Sequence, residues 1–279
     1  MALFHHNDCD LFYEIRGNAA SPYGVVFLNG VMASTNSWYA LSRPFEDLGF
    51  KVLLHDFRGQ LKSDKPEGPY TFAQHCEDLL NLLEAVDMPK AHFIGTSYGG
   101  EVGMKFAARY PDRVASLSII DSVSETDPLM ESFIDSWIVA AQSGDGERFF
   151  NTLAPAIYGG KFMKENLEFL KSRAAATKHV GEAYLNGQIE LYKTFKNEVN
   201  FTGELPLIKA PTLIICGEED LLKNPAFSLK LHQGIAGSEY VTLPQCGHVS
   251  IFEKPQELGT LLLGFILKQL LPQGLVGLA

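Results

Sequence analysis

Short apolar runs, each stopped by a turn residue, constrain the fold of this chain more than any other feature. "GVVFLNG" is continuous and apolar until Asn-Gly, and "FKVLLHD", "AHFIG", "VASLSIID" and "APTLIICG" repeat the pattern. A run apolar at every position, without alternation, is the mark of a strand buried on both faces. "SEYVTLP" is a weaker case, and "DLFYEIRG" alternates, as a half-buried strand near a sheet edge does. Between them lie stretches of helical periodicity, clearest in "TFAQHCEDLLNLLEAVD", "YGGEVGMKFAARYP" and "PQELGTLLLGFILKQLL". Buried strands alternating with helices predict βαβ units and a mostly parallel sheet, an α/β fold. Such sheets carry their sites beyond the carboxyl ends of the strands. The residues just after each run are therefore the ones to search for chemistry.

One region breaks the alternation. From 122 to 202 no strand is legible, and four stretches read as successive helices: "ESFIDSWIVAAQSGD", "GERFFNTLAPAIYGG", "KENLEFLKSRAAATK" and "GEAYLNGQIELYKTF". The expected organisation is a core domain from 1–121 and 203–279, with 122–202 inserted as a helical cap over the strand ends. The length of 279 residues suits this and buries a large core without disulfides.

Composition removes several classes of function. The net charge is −10 and dense basic runs are missing, which argues against nucleic acid and anionic membranes as partners. Cys9, Cys76, Cys216 and Cys246 are far apart and form no CxxC pair, so neither a zinc site nor a redox motif is expected. Thiols used in this way suit a reducing cytoplasm, and no secretory signal is legible at the N-terminus. The last apolar segment is broken by Lys268 and Pro272, which suits a core-facing helix better than a membrane span. Leu275, Val276 and Leu278 in the tail beyond it are expected to pack on the body or on a partner, leaving monomer or homodimer open.

Three strand ends carry the chemistry. "AHFI" is followed by Gly95-Thr96-Ser97-Tyr98-Gly99-Gly100 and then a helix. "TLIIC" is followed by Gly217-Glu218-Glu219-Asp220, and "YVTLP" by Gln245-Cys246-Gly247-His248. A serine hydroxyl needs a base to become a nucleophile, and the base needs an acid to orient it. Ser97, His248 and Asp220 supply these types in that order, with Asp121, after the preceding strand, as the alternative acid.

The chain thereby resembles the α/β-hydrolase superfamily over nearly its whole length, in its esterase and enol-lactone hydrolase branch. Gly95-x-Ser97-x-Gly99 between strand and helix is similar to that family's nucleophile elbow. The resemblance implies a mostly parallel central sheet flanked by helices, with the helical cap inserted after the sixth strand. It implies a nucleophile at Ser97, a base at His248 and an acid at Asp220. It also implies an oxyanion hole from the backbone N–H groups of Tyr98 and Val31. No metal or organic cofactor is required. Two positions depart from the family pattern: Asn29-Gly30 stands where many members have His-Gly, and Leu61 stands where glycine is usual in "DFRGQLKS". Asn29 is expected to brace its loop, and Asp56 and Arg58 to brace the site without catalysing.

The expected reaction is acyl transfer to water from a small or medium apolar ester, lactone or thioester, catalysed by a carboxylic ester hydrolase. The candidate pocket residues are Asn29, Met32, Trp137 and Tyr158. Two other readings stay open. "LNGVMASTNSW" is similar to the oxyanion loop of bacterial enzymes that move 3-hydroxyacyl groups from acyl carrier protein. An acyltransferase of that kind needs a basic docking patch, for which Lys161, Lys164, Lys171 and Arg173 are the candidates. A ligand receptor on the same scaffold would keep the triad and turn over little.

Overall fold

A computed structural model of the protein describes residues 2–271. The expectation for the apolar tail beyond Pro272 lies outside them. The strands are β1 (Ala2–His6), β2 (Cys9–Gly17), β3 (Gly24–Leu28), β4 (Lys51–His55), β5 (Ala91–Thr96), β6 (Val114–Ile120), β7 (Thr212–Gly217) and β8 (Glu239–Leu243). They form one eight-stranded sheet in the order β1-β2-β4-β3-β5-β6-β7-β8. β1 and β2 run antiparallel and β4 to β8 pair in parallel, with β3 between β4 and β5. The continuous apolar runs became the central strands because both of their faces are covered. On β3, Val25 and Phe27 point to one side and Val26 and Leu28 to the other, all fully buried.

The helices before β6 are α1 (Tyr39–Asp47), α2 (Phe72–Ala85) and α3 (Tyr98–Arg109). Between β6 and β7 come α4 (Pro128–Gln142), α5 (Gly146–Ile157), α6 (Gly160–Glu165), α7 (Leu167–Thr177) and α8 (Glu182–Glu198). The core resumes with α9 (Pro225–Gly234), α10 (Ser250–Glu253) and α11 (Pro255–Leu270). α1 and α11 cover the sheet face of Phe27, through Leu41, Phe45, Leu258 and Leu262. α2 and α3 cover the other face, through Leu79, Leu82, Val102 and Phe106. Thr71 caps α2 by accepting the N–H of Gln74 at 3.0 Å, which satisfies one of the free donors of its first turn.

Two details differ from the sequence reading. β1 was not legible: its Leu3 is 59% exposed, and an edge strand without a buried run leaves no apolar pattern. The third cap stretch is broken at Asn166 into α6 and α7. β8 read weakly because it closes the other edge and is only partly buried.

A buried ion pair ties the β4–α2 loop to α2. The Arg58 guanidinium donates to both carboxylate oxygens of Asp78, at 2.7 and 3.0 Å, and both side chains are almost fully buried. Its third contact is Asp8, in the β1–β2 turn, at 3.2 Å. Arg58 is thus a brace between elements. Removing one partner of such a pair leaves an uncompensated buried charge. Asp78→Ala should lower unfolding stability by about 3–5 kcal/mol, read from urea denaturation, with a much smaller effect from removing the exposed Arg43–Asp47 pair.

Candidate functional site

The site is built on the turn between β5 and α3. Ser97 has φ 51° and ψ −119°, a backbone conformation that L residues rarely take. The turn is possible because the flanking glycines permit close contact. A Cβ on Gly95 would lie 2.4 Å from the Gly99 carbonyl oxygen, and one on Gly99 would lie 2.1 Å from that of Leu28. The Ser97 N–H donates to the Ile120 carbonyl at 2.8 Å, and its own carbonyl accepts from the Gly100 N–H, also at 2.8 Å. The hydroxyl is thus lifted above the sheet edge at the start of α3.

The structure brings Ser97, His248 and Asp220 into one hydrogen-bonded row. His248 Nε2 lies 3.0 Å from Ser97 Oγ, and His248 Nδ1 lies 2.8 Å from Asp220 Oδ2. Asp220 Oδ1 accepts from the backbone N–H groups of Leu222 and Lys223, at 2.9 and 2.8 Å, which locks the carboxylate. The backbone N–H of His248 donates to the Ile157 carbonyl at 2.8 Å, linking this loop to the end of α5. Asp121 does not take the place of Asp220. Its oxygens accept from the N–H groups of Gly217 and Ser250, at 2.9 and 3.3 Å, so it ties the acid loop to the histidine loop.

Electrostatics follow from this burial. Burial pushes the His248 imidazole down, but the charge and hydrogen bond of Asp220 and the charge of Asp121 outweigh it, so its pKa stands above 6.5. Burial, aided by the Asp220 charge, pushes Asp121 up to about 7. The four cysteines are buried and unpaired, and burial raises each thiol. Cys246 packs beneath the histidine loop, with its Sγ 3.4 Å from Ser250 Oγ.

Among the described residues, neither the Val31 N–H nor the Tyr98 N–H meets an acceptor, and both residues line the pocket beside Ser97. Their loop is held from below. Asn29, fully buried, donates to the carbonyl of His55 and to the side-chain oxygens of Asp56 and Gln60, and accepts from Trp38 Nε1 at 2.7 Å. The expectation that Asn29 lines the pocket is therefore corrected. All of its polar capacity is spent beneath the loop, and it does not reach the pocket wall. Met32, Trp137 and Tyr158 do line the pocket, together with Ile134, Phe195 and Leu222. Leu61 points outward at 45% exposure, without positive φ, so this departure from the family pattern is accommodated without backbone strain.

Sequence reasoning missed three groups here. Gln60 accepts from the Phe57 N–H and donates to the Gly30 carbonyl, at 2.9 and 2.8 Å. Gln188, buried on α8, accepts the Met32 N–H at 2.8 Å, clamping α8 to the loop of Val31. Lys223 places its Nζ 3.2 Å from Ser97 Oγ, and 2.9 and 3.0 Å from the two oxygens of Glu101. Gln188 and Lys223 lie in no motif, and Gln60 sits at an unspecified position of "DFRGQLKS"; each side chain acquires its role by meeting a distant segment. Of the basic residues at 161–173, Lys161, Lys164 and Lys171 are exposed, Lys171 pairing with Glu168 at 2.8 Å, while Arg173 lines the pocket with its guanidinium 5.1 Å from the Phe252 ring centroid.

A two-faced parallel sheet with a serine on a strained strand-to-helix turn, under an apolar pocket, defines a class of protein. The chain belongs to the alpha/beta hydrolase fold family, whose model matches residues 23–255. It is 32% identical to MGS-M2, an alpha/beta hydrolase enzyme from a Medee basin deep-sea metagenome library, with a TM-score of 0.90 over 95% of this chain and 97% of that one. It is 26% identical to the enol-lactonase from Burkholderia xenovorans LB400, with a TM-score of 0.85 over 95% of this chain and all of that one. It is also similar to the 2-hydroxy-6-oxononadienedioate/2-hydroxy-6-oxononatrienedioate hydrolase of Escherichia coli K12, at 27% identity over 94% of this chain and 90% of the relative. No described helix is long and apolar enough to cross a membrane.

The Gln188 clamp makes a stability prediction. Gln188→Leu leaves the Met32 N–H without its partner, and an unpaired donor of this kind costs about 1–3 kcal/mol. The urea midpoint should fall accordingly, and hydrogen exchange at Met32 should speed up.

Proposed function

We propose that the protein hydrolyses a carboxylic ester, lactone or thioester of a small to medium apolar acyl compound through an acyl-enzyme on Ser97. The observation that carries this reading is the row from Ser97 Oγ through His248 to Asp220, at 3.0 and 2.8 Å. His248 takes the hydroxyl proton as Ser97 Oγ bonds to the substrate carbonyl carbon, and the carbonyl π electrons move onto its oxygen. The free N–H groups of Val31 and Tyr98 receive that negative oxygen. Collapse restores the carbonyl and breaks the bond to the leaving oxygen or sulfur, which takes the proton from His248. Water, deprotonated by His248, then attacks the acyl group, and Ser97 leaves as its oxygen regains a proton. Asp220 holds the imidazole with Nε2 toward the serine and stabilises its charged form.

The pocket supports an apolar acyl group, since Met32, Ile134, Trp137, Leu222 and Phe195 lie along its wall. Residues 122–202 act as the cap in this reading, supplying Ile134, Trp137, Tyr158 and Phe195 from α4, the α5–α6 junction and α8. The relatives named above include a lactonase and a hydrolase, which accords with carbonyl hydrolysis. Of the four basic residues that a carrier-protein docking patch would use, Arg173 turns to the pocket instead.

A panel of p-nitrophenyl esters, lactones and thioesters tests the reading. Release of product should be lost by at least about a thousandfold in Ser97→Ala, and mass spectrometry should find the acyl mass on Ser97 in quenched wild-type protein. Tight ligand binding without turnover would instead establish the receptor reading, and transfer to a hydroxy acid faster than hydrolysis the transferase one.

The pH dependence has a defined sign. The base must be neutral, and its pKa is raised, so kcat/KM should climb with pH along a limb whose midpoint lies above 6.5. A midpoint at or below that value contradicts His248 as the base held by Asp220.

A further inference from the structure

Lys223 has no place in the three-residue arrangement, yet its ammonium is in hydrogen-bonding range of the reacting oxygen. Its Nζ lies 3.2 Å from Ser97 Oγ, on a side chain only 4% exposed. Glu101 holds it with both carboxylate oxygens and is itself fully buried. Glu101 is fixed in turn, accepting from the Ser122 hydroxyl and, at 3.1 Å, from the Val123 N–H. The aromatic ring of Phe195 on α8 covers Nζ from the cap side, 4.6 Å from its centroid. The ammonium is therefore aimed at the serine by two side chains and shielded from water.

The donor and acceptor inventory gives the direction of this contact. A lysine ammonium carries three donors and no acceptor, so Ser97 Oγ must accept from it. The hydroxyl proton of Ser97 is then free to point at His248 Nε2, the direction that proton transfer needs. A buried ion pair is a weak source of stability compared with apolar side chains of similar volume. Its position against the nucleophile calls for a different explanation.

We propose that Lys223 is a fourth catalytic residue, whose ammonium stabilises the negative charge on Ser97 Oγ both as it attacks and as it departs. This rests on Ser97 being the nucleophile. During acylation Oγ loses its proton to His248 while bonding to the carbonyl carbon, and the Lys223 hydrogen bond offsets the charge that builds on it. During deacylation the Oγ–carbon bond breaks, the electron pair returns to Oγ, and His248 restores its proton. Lys223 keeps its own protons throughout, with Glu101 as its fixed counter-ion. The backbone donors at Val31 and Tyr98 serve the carbonyl oxygen, whereas Lys223 serves Ser97 Oγ. Charge-assisted hydrogen bonds in a water-poor site are the strong kind, which is why one donor can matter.

The test uses the full chain and two reactions. One is the rate at which a fluorophosphonate labels Ser97, followed by mass spectrometry, which needs no knowledge of the natural substrate. The other is the pre-steady-state burst with p-nitrophenyl acetate, which separates acylation from deacylation. Glu101→Gln/Lys223→Met removes both charges together, so that no unpaired charge is left buried, and its melting temperature reports whether it folds. Labelling, burst and post-burst rates should each fall on the order of a hundredfold. Lys223→Arg keeps a cation beside Glu101 and should recover part of the loss, and Lys223→Met, read against Lys223→Arg, supplies the comparison if the double variant does not fold.

A purely structural role would not move the pH profile. His248 faces Asp220, Asp121 and Glu253 as well as Lys223. In Lys223→Met, where the ammonium is gone and these carboxyl groups and Glu101 are retained, the acid limb of kcat/KM should shift to higher pH. A folded double variant with all three rates within about twofold of wild type would overturn the proposal, as would an unmoved limb in folded Lys223→Met. So would a Lys223→Arg variant no faster than the charge-free one or than Lys223→Met. Failure of the wild-type protein itself to be labelled, with no ester turnover, would instead remove Ser97 as nucleophile, and this inference with it.

Discussion

The site depends on one close approach, that of the start of α3 to the end of β3. Gly99 lies so near the Leu28 carbonyl that a methyl group there would overlap it. Because the helix can come this close, the turn before it can take the strained conformation of Ser97, at a cost of about 1–3 kcal/mol. The sheet offsets that cost by burying β3 and β5 on both faces. A looser contact would let Ser97 relax and lower its hydroxyl away from His248. The geometry of the Ser97 turn is therefore a property of backbone packing before it is a property of any side chain.

Charge is distributed around the serine in the same economical way. Asp220, Asp121 and Glu101 are almost fully buried on three different segments, and each is satisfied by a different partner. Asp220 faces the imidazole, Asp121 joins two loops through their N–H groups, and Glu101 holds Lys223. Asp121 and Asp220 lie close enough for their charges to interact, and burial together with that repulsion raises the Asp121 pKa.

The loop of Val31 shows how a departure from a family pattern is absorbed. Asn29 engages four partners beneath the loop, Gln60 holds the Gly30 carbonyl, and Gln188 reaches down from the cap to the Met32 N–H. Pocket wall and loop are thus joined by side chains from three parts of the chain. α8 is coupled to the loop by a hydrogen bond, and motion of α8 would be felt at the donors beside Ser97.

The central strands and the main helices were legible because burial on two faces leaves a continuous apolar run, and burial on one leaves a helical period. The Gly-x-Ser-x-Gly turn was legible because its glycines answer a local steric need. β1 left no such trace, since an exposed edge strand needs no apolar pattern. The choice between Asp220 and Asp121, both placed after strands, depended on which carboxylate reaches His248. Gln60, Gln188, Glu101 and Lys223 were illegible for the same reason: a buried polar residue is defined by its partner. Glu101 and Lys223 are separated by more than a hundred residues of chain, and Lys223 meets Ser97 across a similar span. Local sequence determines which segments become strands, helices and tight turns, because those choices depend on neighbours along the chain. Which polar groups end up satisfied, and which ammonium faces Ser97, is decided only when distant strand ends are packed together, because hydrogen bonds and desolvation act over a few ångströms of space.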